Sequence, residues 1–269
     1  MKLNDFFSKH PVFTVAELDE YLRTRGSGNR KVRTSMLTYH RRQGRIVPVR
    51  RGLYAVVPPG ADPESVPVDP YLLASKLTSD AVLGYHTTLE FFGRAYSVYQ
   101  RFFYLSKRPS APLRFRSSEF KGILVPKALR DKEKESFGVT WSEREGIPVK
   151  VTDLERTMVD VLDRPDLCGG WEEVWRSLES IEYFNLDEVV EYTLLLGNST
   201  TAAKVGFFLE QHQESLMVSD AHLDPLRQLR PRQPHYMERR RRSGGGRLLQ
   251  EWNLIVPEEV LERSWAEVT

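Results

Sequence analysis

The sequence predicts an α+β protein in two parts, a small basic module of helices with a β-turn appendage, then a larger body that mixes several helices with an antiparallel sheet. Three observations predict it. Charge divides unevenly: residues 1–60 hold 12 Lys+Arg against 4 Asp+Glu, a net of +8, while residues 61–269 hold 27 against 33, a net of −6. Apolar residues recur at helical spacing up to Gln43 and then, after Gly44, fall into two β-rich segments joined by Arg50-Arg51-Gly52. The body runs from helical patterns through a block of short aromatic or β-branched segments, and returns to helices after Asp153.

In the module, Leu3, Phe6 and Phe7 lie at helical spacing, and His10-Pro11 ends that first short helix. Thr14 starts the second, with Glu17 three residues on as its capping-box partner and Val15, Leu18, Tyr21 and Leu22 as its apolar face. Gly26-Ser27-Gly28 breaks it. The third helix begins at Asn29 as its cap and runs to about residue 43, with Val32, Met36 and His40 turned inward at i, i+4 and i+8 and Leu37 beside them. Gly44 supplies a left-handed stop. Segments 45–49 and 53–57 then read as a strand pair, with Gly52 allowing the tight turn between them.

The inward stripe decides what points out. Lys31, Thr34, Ser35, Thr38, Arg41 and Arg42 face solvent, with Arg30 and Arg33 flanking, Arg45 opening the strand pair and Arg50 and Arg51 at its tip. Arginine and lysine neutralise phosphates or fork onto guanine, while Thr34, Ser35 and Thr38 are short enough to let a helix approach base edges. A helix filling the major groove beside a β-ribbon on the backbone or minor groove is the layout of a recognition helix and wing, so the module reads as a winged helix-turn-helix for double-stranded DNA. A solvated basic face without a partner is the competing reading, weakened because the charges follow one helix and one turn. His40 reads as a core or cap histidine and Tyr54 as a packing residue.

Prolines 58, 59, 63, 67 and 70 form a stiff connector, which sets expected domains at 1–60 and 61–269. Beyond it, the stretch from Asp69 to Leu77 and that from His86 to Gly93 read as short helices. Segments 98–106, 113–116, 122–126, 137–143 and 147–152 read as strands of a mainly antiparallel sheet, and 154–162, 171–181, 186–196 and 200–211 as helices. No apolar run approaches the ~20 residues that span a bilayer, and the N-terminus lacks a secretory signal, so no membrane partner and a cytoplasmic location are expected. A single cysteine, Cys168, excludes an internal disulfide and argues against a thiolate zinc cluster.

Motifs for chemistry are sparse. Glu119-Phe120-Lys121 has the Glu-x-Lys form of a magnesium nuclease element but lacks a well-placed preceding Asp, and Gly244-Gly245-Gly246 lacks the Gly-Lys-Ser/Thr end of a phosphate loop. Asp153, Arg156 and Asp160 read as capping and ion pairing, with either Thr152 or Asp153 as the cap, and His86 as a satisfied histidine at a helix start. No catalytic residue, metal or cofactor is therefore expected, and the chain is read as a non-enzyme. Arg239, Arg240, Arg241 and Arg242, followed after Ser243 by three glycines and Arg247, form a second basic element, read as a functional patch in preference to a solvated loop.

Several stretches together resemble the AbiEi family of abortive-infection regulators, the antitoxins of type IV toxin-antitoxin modules. They are G-Y-H-T-T-L-E-F-F-G from Gly84, V-T-D-L-E-R-T-M-V-D-V-L-D-R-P-D-L-C-G-G-W-E-E-V from Val151, W-N-L-I-V-P from Trp252, and the leading G-R-I-V-P-V-R-R-G-L-Y from Gly44. The resemblance implies a winged helix-turn-helix that represses its own operon at inverted repeats. It also implies a C-terminal domain that counteracts a nucleotidyltransferase-like toxin in phage defence, without requiring a stable complex. The copies on an inverted repeat can be monomers in solution. A stand-alone winged-helix regulator is the alternative, with a nuclease-like effector behind it.

Overall fold

The computed structural model describes residues 3–26, 29–238, 246–263 and 265 of the 269-residue chain. In the module, α1 (Asn4–Lys9) leads to β1 (Val12–Thr14), α2 (Val15–Thr24), α3 (Arg30–Arg42), β2 (Ile46–Arg50) and β3 (Leu53–Val56). The strands make an antiparallel sheet in the order β1-β3-β2, and with the three helices this is the winged helix arrangement. The predicted capping box forms: the Glu17 amide donates to Thr14 Oγ1 at 3.3 Å and the Thr14 amide donates to Glu17 Oε2 at 2.7 Å. Leu3, Phe6, Phe7, Phe13, Leu18, Leu22 and Ile46 close a small aromatic core between the helices and the sheet.

Strand β1 had no sequence signal. Its three residues between two helices are too few to show period-2 alternation, and they become a strand only because Phe13 lies opposite Tyr54, forty-one positions on. Val32 also departs from expectation, being 40% exposed instead of turned inward. The apolar cluster of the module reaches Met36 and Leu37 and stops one turn short of Val32, so periodicity alone overextends the buried stripe.

The body continues with α4 (Pro70–Ser75), β4 (Val82–Leu83), α5 (His86–Phe91), β5 (Arg101–Ser106), β6 (Leu113–Phe115), β7 (Ser118–Leu124), α6 (Lys127–Asp131), β8 (Val139–Arg144) and β9 (Ile147–Thr152). Helices α7 (Leu154–Asp163), α8 (Trp171–Glu179), α9 (Leu186–Leu196), α10 (Ser199–Gln211) and α11 (Asp220–Leu229) follow, then β10 (His235–Tyr236), β11 (Gly246–Leu249), β12 (Leu254–Pro257) and α12 (Glu258–Glu262). The central sheet has the order β6-β7-β5-β4-β9-β8. Three of its five pairs are antiparallel, while β5–β7 and β4–β9 are parallel.

Strand β5 shows why its sequence is continuously apolar. Phe102 and Tyr104 point to one face, where Leu72, Leu73 and Leu77 pack, and Phe103 and Leu105 point to the other, into the helical core around Met158, Trp175 and Phe208. A central strand covered on both sides has no polar alternate positions. Val12 and Leu53 of the module join the same apolar cluster as Leu72 and Leu73, and Lys76 makes an ion pair with Glu17. Thus the module is seated on the body across the proline connector, in which the expected boundary at residue 60 falls.

The third sheet, β10-β12-β11, closes over α10 through Trp252, which is fully buried and donates from Nε1 to Glu210 Oε2 at 2.9 Å. Gly206 on α10 lies directly beneath it, and a Cβ at 206 would overlap the six-membered ring of the indole. Helix propensity would favour Gly206→Ala by up to ~1 kcal/mol. Overpacking a closed core costs about 1–3 kcal/mol, and the anchored indole has nowhere to move. Gly206→Ala is expected to lower the urea midpoint at unchanged m-value, and an unchanged or raised midpoint would disprove this packing.

Candidate nucleic-acid interface

Helix α3 starts where Asn29 Oδ1 accepts the Lys31 amide at 2.8 Å, satisfying one free N–H of the first turn. Arg30, Lys31, Thr34, Ser35, Thr38, Arg41 and Arg42 are exposed, so the expected outer face is present as one surface. Thr34 Oγ1 donates to Arg30 O at 2.9 Å, which occupies its proton and leaves its oxygen as an acceptor. His40 is buried, its ring 5.0 Å from Phe7 in a T-shaped contact. Burial, and then the Arg45 charge, lower its pKa, so it is a neutral core histidine.

Two of the expected arginines have intramolecular work. Arg33 is half-buried in an ion pair with Asp19 of α2, which holds α3 to its neighbour. Arg45 donates from Nη2 to Asn4 Oδ1 at 2.6 Å and lies over the Phe7 ring at 5.3 Å. By contrast Arg50 and Arg51 stand at the wing tip. Arg50 pairs with Leu53 across the turn, where Gly52 takes a φ of +82°, the second-position geometry that a type II turn assigns to glycine. The Gly52 carbonyl accepts the Val15 amide at 2.9 Å, fastening the wing to the start of α2. Tyr54 stacks on Phe13 at 5.6 Å, as a packing residue.

Arg239, Arg240, Arg241 and Arg242 lie outside the described residues. Arg247 is exposed on β11. Glu119 and Lys121 flank the buried Phe120 on β7, and Glu119 faces Arg101 at 3.6 Å and Arg114 at 4.0 Å. The Glu-x-Lys tripeptide is thus part of the central sheet.

The body's polar core was half-legible. Asp153 caps α7 by accepting the Arg156 amide at 2.8 Å, and buried Arg156 meets Asp160 at 3.4 Å, the capping and pairing roles expected. Tyr192 completes the set by donating to Asp160 Oδ1 at 2.8 Å. Asp153, Glu155 and Glu188 also converge, but Glu155 accepts the Asn185 amide and Glu188 the Asn185 side chain, so they serve helix starts. His86 opens α5 fully buried, with Nε2 3.0 Å from Glu173 Oε1 and Nδ1 3.3 Å from Glu90 Oε1. Burial by itself would lower the imidazole pKa, and the two carboxylates outweigh it and raise it. Burial would raise Glu173, yet the hydrogen bonds from His86 and the Ser97 amide bring it down to about 2. Sequence reasoning found His86 but missed Glu173, eighty-seven positions away.

Among solved structures the chain is similar to the RV2827C protein from Mycobacterium tuberculosis, at 18% identity and a TM-score of 0.60, covering 98% of this chain and 93% of that one. That likeness is one of fold. No curated protein matches the chain. No helix among the described residues is long and apolar enough to cross a membrane. The basic helix and its arginine-tipped wing lie in the part of the chain for which the resemblance read from the sequence is met, since residues 1–57 match the family described as "Transcriptional regulator, AbiEi antitoxin".

Proposed function

We propose that this chain is a cytoplasmic, non-enzymatic DNA-binding autorepressor and antitoxin of a type IV module. The observation that carries the regulatory half is the single exposed face of Arg30, Lys31, Thr34, Ser35, Thr38, Arg41 and Arg42 beside the wing arginines Arg50 and Arg51. Helix α3 enters the major groove, its short side chains near the base edges and its arginines on phosphate or guanine, while the wing grips the backbone. Two copies occupy an inverted repeat, and these copies can be monomers in solution. The body counteracts a nucleotidyltransferase-like toxin without a lasting complex, and no cofactor takes part.

Two measurements test this reading. In gel-shift titration the full chain is expected to bind a duplex carrying the inverted repeat of its own promoter at least about 1,000-fold more tightly than a scrambled duplex, the lower end of specific recognition. Co-expression with an adjacent nucleotidyltransferase gene is expected to restore growth. Equal affinity for both duplexes refutes sequence-specific repression. Growth arrest that the chain does not relieve, or a gene with no such neighbour, favours the stand-alone regulator.

A further inference from the structure

A second basic site lies in the body, away from helix α3. A cleft of about 670 Å³ opens between the β6–β7 hairpin and the turn that follows α7. Its volume is that of a small-molecule site, within the roughly 300–1,000 Å³ such sites occupy. Arg101, Arg114 and Arg116 stand at its mouth, and the buried Phe103 and Leu167 close its base.

The charge at this mouth is only partly answered. Asp166 is held in a two-pronged pair by Arg164, with both contacts at 3.0 Å. Among the described residues Glu119 alone faces Arg101 and Arg114, at 3.6 and 4.0 Å, beyond hydrogen-bond reach. Among the described residues neither guanidinium donates a hydrogen bond, so two planar donor forks line the cleft on either side of one carboxylate, with N–H groups left over for a ligand.

The hairpin that carries Arg114 is held in place by its turn. Phe115 pairs with Ser118, so Arg116 and Ser117 alone make the hairpin turn, and Arg116 adopts a φ of +55°. That is the left-handed region, where glycine is the ordinary occupant of a two-residue hairpin turn. The Arg116 guanidinium donates from Nη2 to Pro63 O at 3.0 Å, so Arg116 ties the hairpin turn to the connector and leaves the charge at the rim to Arg101 and Arg114. On the exposed lining, Gln100 Oε1 accepts from Ser118 Oγ at 3.1 Å, which leaves its amide nitrogen as a donor, and the half-buried Tyr99 ring supplies an aromatic wall.

We propose that this cleft binds a small phosphate-bearing molecule of nucleotide size, its phosphates forked by Arg101 and Arg114 and its organic part against Tyr99 and Gln100. Guanidinium forks match phosphate oxygens two by two, and a closed base suits a compact ligand entering end-on. A polymer backbone would meet only the rim.

The test titrates the full chain with ADP and, separately, with inorganic pyrophosphate by calorimetry at low salt. One saturable site per chain is expected, tighter for ADP if the organic part is held and equal for both if phosphate alone is read. Arg101→Ala with Arg114→Ala is expected to weaken binding by about ten-fold or more, since each fork is a charge-assisted pair. Arg101→Lys with Arg114→Lys keeps the charge without the forks and is expected to recover only part. Both arginine side chains are exposed, at 60% and 82%, so thermal unfolding of either variant should match the parent. Failure of both probes to saturate at millimolar concentration, or undiminished binding in the alanine variant, overturns the proposal. So does an alanine variant that loses duplex DNA affinity while neither probe binds the parent, which would make the cleft an outlying part of the DNA footprint.

Discussion

Replacing Arg41, Arg42, Arg50 and Arg51 together by alanine is expected to abolish operator binding at physiological salt while leaving the protein folded and able to relieve toxicity. Each lysine or arginine that neutralises a phosphate contributes about 0.9 to the slope of log affinity against log salt. Four such contacts contribute between three and four, or on the order of a thousand-fold in affinity at 0.1 M salt. Among the described residues none of the four makes a side-chain hydrogen bond or ion pair, so their loss removes no internal support. Anisotropy titrations across a salt series measure both quantities. A variant with the parent's slope would show that this face is not the DNA contact, and one that unfolds early would show that the arginines stabilise the module. Arg33→Ala provides a contrast: its partner Asp19 predicts a loss of stability from that substitution, with little change in salt slope.

Glu173→Gln is expected to be among the most damaging single changes to the body. The carboxylate receives His86 Nε2 at 3.0 Å, the Ser97 amide at 2.9 Å and Ser177 Oγ at 3.1 Å, and its side chain is only 4% exposed. Removing one member of a buried charge pair costs up to about 3–5 kcal/mol, lessened here because Glu90 still faces His86 Nδ1 at 3.3 Å. The same pair makes stability depend on pH in two directions. His86 is raised above its unfolded value near 6.5, so its contribution is full below that pH and is lost as pH rises through the folded value. Glu173 is depressed from 4.5 to about 2, so its contribution is full above 4.5 and is lost as pH falls toward 2. Urea unfolding between pH 3 and 9 is expected to show a maximum between these limits and a flattened alkaline limb in Glu173→Gln. An alkaline limb identical in parent and variant would remove His86 and Glu173 as its cause.

What could be read early and what could not follows the range of the interactions involved. The Thr14–Glu17 capping box, the Asn29 cap, the Asp153 cap and the Arg50-Arg51-Gly52 turn each depend on residues at most four apart, and each formed as the sequence predicted. The outer face of α3 was legible for the same reason, because helical period alone sorts Lys31, Thr34, Ser35, Thr38, Arg41 and Arg42 to one side. Its inner face was less so. Val32 fits the stripe by period yet is exposed, since burial requires a neighbour and the module's core ends at Met36 and Leu37. Helix α11 was obscured by Pro225, which removes one backbone donor but not the helix, because Leu223 and Leu226 bury themselves in the main core.

The sequence by itself therefore determined the α+β class, the winged module, its basic exposed surface and the helix starts, all of which arise from composition and from contacts within one turn of the chain. Tertiary structure decided the rest. It chose which arginines are free and which are tied, giving Arg33 to Asp19 and Arg45 to Asn4 while leaving Arg41, Arg42 and Arg51 exposed. It brought Glu173 to His86 across eighty-seven residues, and Arg101 and Arg114 to one cleft beside the turn at 166–169. Such pairings carry no local signature, because the free energy that holds them comes from burying both sides of the central sheet, and only the closed core fixes which distant side chains face each other.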